Sequence, residues 1–109
     1  MDFKQYQRLS RKTAIYPDIG SNFVYPVLGL VGEAGEVAEK VKKVLRDQKG
    51  IVDEKTKQSL LEELGDVLWY LSQLATEMDL SLEEIASFNL EKLTSRQKRG
   101  KLSGSGDDR

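Results

Sequence analysis

Apolar positions recur at three- and four-residue intervals along most of this chain, the spacing of helices that bury one face. One such face gathers Val27, Leu30, Val31, Ala34, Val37, Ala38, Val41, Val44 and Leu45. A second gathers Leu60, Leu61, Leu64, Val67, Leu68, Leu71, Leu74, Ala75 and Met78. The punctuation between them predicts four helices. The first runs from Gln5 to Tyr16 and ends near Pro17-Asp18-Ile19-Gly20. The second follows Ser21-Asn22, tolerates Pro26 in its first turn and stops near Asp47, before Gln48-Lys49-Gly50. The third spans Asp53 to Met78, and the fourth starts at the S-x-x-E capping pattern Ser81-Leu82-Glu83-Glu84 and ends near Arg99. No strand-like alternation competes. The expected fold is all-α, a four-helix bundle-like protomer over residues 1–100, followed by a Gly/Ser-rich tail at 101–109.

Composition narrows the chemistry. Seventeen Lys and Arg against 18 Asp and Glu leave a net charge of −1, which argues against general nucleic-acid binding. With 109 residues, 39% of them hydrophobic, the core is thin, so a homodimer or homotetramer is expected. Cys and His are absent, which excludes disulfides, thiolate sites, His-ligated zinc and serine–histidine catalysis. No apolar run approaches the roughly 20 residues that span a bilayer. The first residues, Met1-Asp2-Phe3-Lys4-Gln5, lack a signal-peptide core, so the expected location is cytoplasmic, with no membrane partner.

The most informative feature is an internal repeat. Leu30-Val31-Gly32-Glu33-Ala34-Gly35-Glu36-Val37 aligns with Leu60-Leu61-Glu62-Glu63-Leu64-Gly65-Asp66-Val67, thirty residues later. Each copy sets two acids three apart with a glycine before the second. A helix-interior glycine costs about 0.8–1 kcal/mol against alanine, so Gly35 and Gly65 imply close approach by a neighbouring helix or a ligand. Glu33 and Glu63 lie at the edge of their apolar faces, and Glu36 and Asp66 lie farther out. If the two helices pack antiparallel, all four carboxylates meet at one seam, where they repel unless cations neutralise them. Oxygen donors without His or Cys select Mg²⁺ or Mn²⁺. Single E-x-x-E patterns are ordinary surface; two matched copies at core edges, each beside a glycine, favour a site over a solvated face.

The fourth helix carries Asn89, Lys92 and Arg96 in or beside its apolar face. They read either as snorkelling cations with a satisfied amide, or as a clamp in which Lys92 and Arg96 hold phosphate and Asn89 orients a metal or substrate.

With these residues the chain resembles the MazG family of all-α nucleoside triphosphate pyrophosphohydrolases. The likeness rests on Glu33/Glu36 and Glu63/Asp66 in their surroundings, on Asn89-x-x-Lys92-Leu93-x-x-Arg96, and on a tail from Arg99-Gly100 to Gly104-Ser105-Gly106-Asp107-Asp108-Arg109 similar to that of compact single-domain members. Many members carry a doubled acid at the first motif, where this chain has Gly32; here the doubled acid is Glu62-Glu63. The resemblance implies hydrolysis of a nucleoside triphosphate between the α and β phosphates, releasing a monophosphate and pyrophosphate. It implies Mg²⁺ (with Mn²⁺ as substitute) on Glu33, Glu36, Glu63 and Asp66. Glu36 or Glu62 is the expected proton acceptor, and Lys92 and Arg96 would stabilise the leaving pyrophosphate. Other readings are a non-catalytic helical interaction module and a pyrophosphohydrolase acting on another nucleotide such as phosphoribosyl-ATP.

Trp69 falls outside the apolar face of its helix, which suits an oligomer interface or stacking on a base. Tyr70, near the carboxylate edge, reads equally as a candidate substrate contact or as a core tyrosine. Lys40, Lys42, Lys43 and Arg46 read as a solvated face that suits a helix C-terminus. In the tail, Gly104-Ser105-Gly106 offers backbone N–H groups to a phosphate, and Arg109 is a further candidate contact.

Overall fold

A computed structural model describes residues 1–109 as four helices: α1 (Phe3–Arg11), α2 (Val24–Asp47), α3 (Glu54–Glu77) and α4 (Leu82–Lys98), with no strand. Local chemistry sets the boundaries. α1 starts earlier than the apolar spacing predicts because Asp2 and Gln5 form a reciprocal capping box, with bonds of 2.8 and 2.9 Å. It also stops at Arg11, short of Tyr16. Thr13 Oγ1 donates to the Ser10 carbonyl at 2.6 Å, and Pro17 disfavours a helical Tyr16.

Pro26 is buried in the first turn of α2, where its missing N–H would have had no intrahelical partner. Asn22 Oδ1 accepts from the Tyr25 N–H at 3.1 Å, as the expected turn chemistry requires. Lys49 and Gly50 adopt positive φ of 55° and 78° and turn the chain after α2. Asp53 caps α3 through the Thr56 N–H at 2.8 Å, and Ser81 caps α4 through the Glu84 N–H at 2.9 Å.

α2 and α3 form an antiparallel hairpin in which Gly29 meets Tyr70, Lys40 pairs with Glu63 and Gln48 bonds Thr56. α1 lies along α3 through Ser10 to Ser72 at 3.0 Å and Gln7 to Thr76 at 3.0 Å. Gln7 also ties in the start of α4, donating to the Leu80 carbonyl and accepting from the Leu82 N–H, each at 2.9 Å. The expected bundle does not close: α4 packs chiefly on α1 rather than across the hairpin. A nine-residue α1 is too short to cover the faces of two 24-residue helices.

The consequence is an open protomer. Only 9 of the 109 residues are buried. The accessible surface is 8057 Å² for 12.3 kDa, against about 6,100 Å² for a compact monomer of that mass. The radius of gyration is 16.8 Å, where about 13 Å is usual. Leu28 and Val31 on α2, Leu61 and Leu64 on α3, and Phe88 and Leu90 on α4 all stand in solvent. No helix is long and apolar enough to cross a membrane.

Candidate carboxylate and phosphate site

Antiparallel pairing of α2 and α3 brings one acid of the first motif, Glu33, against both acids of the second, Glu63 and Asp66. Glu33, Glu63 and Asp66 converge: one carboxylate oxygen from each lies within 4.8 Å of the others. Glu33 and Glu63 are half-buried and Asp66 is exposed. The Glu33 carboxyl is held above its ordinary pKa by burial first, then by a hydrogen bond shared with Glu63 and by the charges of Asp66, Glu63 and Glu36. Lys40 Nζ reaches Glu63 at 3.5 Å.

Glu36, expected as the fourth ligand, lies outside the convergent group; it acts on Glu33 through its charge and is itself exposed. Glu62 is exposed on α3, also outside the group. The three convergent acids fit a hard divalent cation: all donors are oxygen, and Glu33 shows the mutual repulsion that a cation would relieve.

The close approach expected at the motif glycines falls elsewhere. A Cβ added at Gly32, Gly35 or Gly65 would meet nothing within 4 Å. At Gly29 it would collide with the Tyr70 ring, so α3 presses this tyrosine onto the α2 backbone one turn before Glu33. Tyr70 therefore borders the acids, as expected; burial first, then Tyr25, Glu33 and Asp66, raise its pKa. Trp69 stands edge-on to Tyr70 with ring centroids 5.0 Å apart. Its Nε1 donates to Thr13 Oγ1 at 2.8 Å, so within the protomer the indole is engaged by the segment after α1.

Asn89, Lys92 and Arg96 line up along α4 as expected, but the tail covers two of them. Arg96 Nη2 donates to both the Asp107 carbonyl and Oδ1, and Lys92 Nζ reaches the same Oδ1 at 3.2 Å. Arg109 does not point to an open site. Its Nη1 and Nη2 donate to the carbonyls of Gly106 and Leu102 at 2.6 and 3.0 Å, and Arg99 holds its carbonyl at 2.7 Å. Gly104 and Gly106 supply the positive φ, 116° and 86°, that closes this loop. A groove of about 600 Å³ runs past Asn89 and Lys92, whereas no surface hollow of the protomer is lined by Glu33, Glu63 or Asp66.

A second carboxylate centre has no counterpart in the sequence reading. The Glu77 side chain is fully covered and accepts four hydrogen bonds. They come from Arg11 Nη2 (2.6 Å), Tyr16 OH (2.7 Å), Gly20 N–H (2.9 Å) and Asn22 N–H (2.6 Å). Burial pushes its pKa up, but the donors, Asn22 foremost, outweigh that and bring it to about 2. It ties the α1–α2 loop to the end of α3.

An all-α fold with acids gathered across a helix hairpin defines the class of this domain, and comparison with known families names it. Residues 26–100 match the MazG nucleotide pyrophosphohydrolase domain, and the chain belongs to that family. It is 48% identical to the Gene 37 protein of Mycobacterium phage L5 over 109 residues, covering 95% of this chain and 96% of that one. It is also 38% identical over 72 residues to the protein YvdC of Bacillus subtilis (strain 168), covering 62% of this chain and 68% of the relative. No solved structure matches.

Proposed function

We propose that the protein is a Mg²⁺-dependent nucleoside triphosphate pyrophosphohydrolase, cleaving ribo- or deoxyribonucleoside triphosphates to a monophosphate and pyrophosphate in control or housecleaning of the nucleotide pool. The observation that carries this reading is the convergence of Glu33, Glu63 and Asp66 within 4.8 Å, in a chain of this family. Glu33, Glu63 and Asp66 hold the ion, with Glu36 at the margin of the site. Bound there, Mg²⁺ screens phosphate charge and makes water more acidic. Lys92 and Arg96 hold phosphate oxygens through charge-assisted bonds, and Asn89 shares a groove with Lys92. Tyr70 borders the acids on the hairpin side, and Glu36 or Glu62 accepts the proton of the attacking water.

The protein works as a homodimer or homotetramer. Its excess surface, about 2,000 Å² per protomer over a compact monomer, matches what an obligate interface buries. The lack of a hollow over the acids fits a cleft completed by a second copy.

The test is pyrophosphate release from a panel of NTPs and dNTPs, with Mg²⁺ and with EDTA. Glu63→Gln is expected to cut kcat/KM by on the order of a hundredfold or more and to raise the Mg²⁺ midpoint. Arg96→Ala is expected to cost about ten- to hundredfold with the midpoint unchanged, from the 1.5–3 kcal/mol typical of bonds to charged groups. Full activity of Glu63→Gln at unchanged Mg²⁺ demand refutes the enzyme reading.

A further inference from the structure

The tail does not trail from α4; it returns and lays a carboxylate on the two cations assigned above to phosphate. Asp107 Oδ1 sits 3.2 Å from Lys92 Nζ and 3.3 Å from Arg96 Nη2, in the position an oxygen of a bound phosphate would take. Exposure is unequal across this contact. The Asp107 side chain is 85% exposed, whereas those of Lys92 and Arg96 are 30% and 4% exposed. An anion arriving from solvent therefore meets Asp107 before it meets the cations.

The tail is also built to come away. It has no helix, its turns rest on Gly104 and Gly106 at positive φ, and Leu102, its single large apolar side chain, is half exposed. Its inner cohesion comes from Arg109 bonding to Gly106 and Leu102, so the loop can move as a unit. The Asp107 carboxylate makes its ion pairs from solvent, so they are weak, and the Asp107 carbonyl adds one bond from Arg96. A polyphosphate brings several charges to the same two cations, against one carboxylate and one carbonyl. The tail lies beyond the segment matched by the family domain.

We propose that residues 103–109 form an acidic strap whose Asp107 carboxylate competes with the triphosphate of the substrate for Lys92 and Arg96, so that the strap must lift for the nucleotide to seat. This rests on the assignment of those two cations to phosphate. The ordinary hold of Asp107 sets a threshold: only an anion of higher charge density, a triphosphate rather than a monophosphate, displaces it efficiently.

The experiment measures inorganic tripolyphosphate affinity by calorimetry, at low ionic strength with Mg²⁺, for the full chain and two single variants. Asp107→Asn removes the competing charge; Asp108→Asn removes an equal charge from the neighbouring residue, which makes no bond to either cation. Asp107→Asn is expected to tighten tripolyphosphate about three- to tenfold, as loss of a weak exposed ion pair implies, while Asp108→Asn changes it less than twofold. Equal effects of the two variants, no effect, or weaker binding by Asp107→Asn each overturn the strap; weaker binding would make Asp107 a residue that positions the cations. Nucleotide hydrolysis is followed in parallel. Cleavage with no tightening by Asp107→Asn sinks the strap and leaves the proposed function standing. Tightening without cleavage of any nucleotide does the reverse.

Discussion

Glu77 and Glu33 are both carboxylates wedged between helices, and their surroundings drive them in opposite directions. Glu77 is covered and receives four donors, two of them backbone N–H groups from the loop before α2, and its pKa falls to about 2. Glu33 is half-buried among other acids and is held above its ordinary value. A carboxylate surrounded by donors strengthens the fold; one surrounded by carboxylates weakens it until something positive arrives. The first centre ties the chain together, whereas the second gathers three acids with one cation, Lys40, beside Glu63.

The strongest way to break this contrast is Glu77→Gln. It leaves Arg11 beside a neutral amide in a covered position and, because Gly20 and Asn22 bond different carboxylate oxygens, sets an NH₂ group against one of the two loop N–H donors. A loss of about 3–5 kcal/mol is expected, as when one member of a buried pair is removed, and denaturant melts at pH 7 measure it. The pH dependence has a definite sign. Because the folded pKa is depressed from 4.5 to about 2, the stability Glu77 contributes is full above about pH 4.5 and drains away as pH falls toward 2. Acid unfolding of the wild type should therefore steepen in that window, and the Glu77→Gln protein should lack that step.

A smaller effect is expected where Tyr70 presses on α2. Gly29→Ala places a methyl against the ring and forces the hairpin apart beside the acids. About 1–3 kcal/mol of destabilisation is expected from overpacking. The Mg²⁺ midpoint should rise in the same variant, because the acids lie on the two helices being separated. Unchanged melting and metal demand together would show that the Tyr70 contact does not set their spacing.

The smallest effect runs the other way. Glu33→Gln should raise the melting temperature of metal-free protein at pH 7 by the equivalent of less than about 1 kcal/mol, because solvent screens a half-buried carboxylate. Its folded pKa is raised, so the cost of ionising Glu33 is absent in acid and grows as pH rises above about 4.5. The gap between variant and wild type should close as pH drops below that value. A gap of the same size at low pH would point to packing rather than charge.

Much of the fold was legible because helices advertise themselves locally. The three- and four-residue spacing, the Ser81 cap, and Lys49-Gly50 as a stop all act within one turn, and their boundaries hold to within a residue or two. The acidic site was legible because the repeat doubles a local signal, and the antiparallel hairpin brings its copies face to face. Glu36 was expected beside its counterpart Asp66 but lies outside the cluster, because a helical wheel gives the angle within one helix and not the fit of two helices against each other. Glu77 was invisible for a different reason. Its partners Arg11, Tyr16, Gly20 and Asn22 lie more than fifty residues away in sequence, and each is individually unremarkable. Asp107 escaped likewise, because a Gly/Ser-rich tail carries no periodicity to show where it docks. The position of α4 against α1 depends on Gln7, one side chain that bonds both sides of the α3–α4 break.

The bareness of the protomer ties the fate of each molecule to how many others are made. With Phe88, Leu90, Leu61 and Val31 in solvent, a newly synthesised chain presents the kind of surface that chaperones and proteases patrol. In the proposed dimer or tetramer, pairing would hide that surface, and pairing depends on concentration. In the proposed assembly, working enzyme therefore rises more steeply than gene dosage at low expression. A cell making few copies would keep fewer active molecules per transcript than one making many.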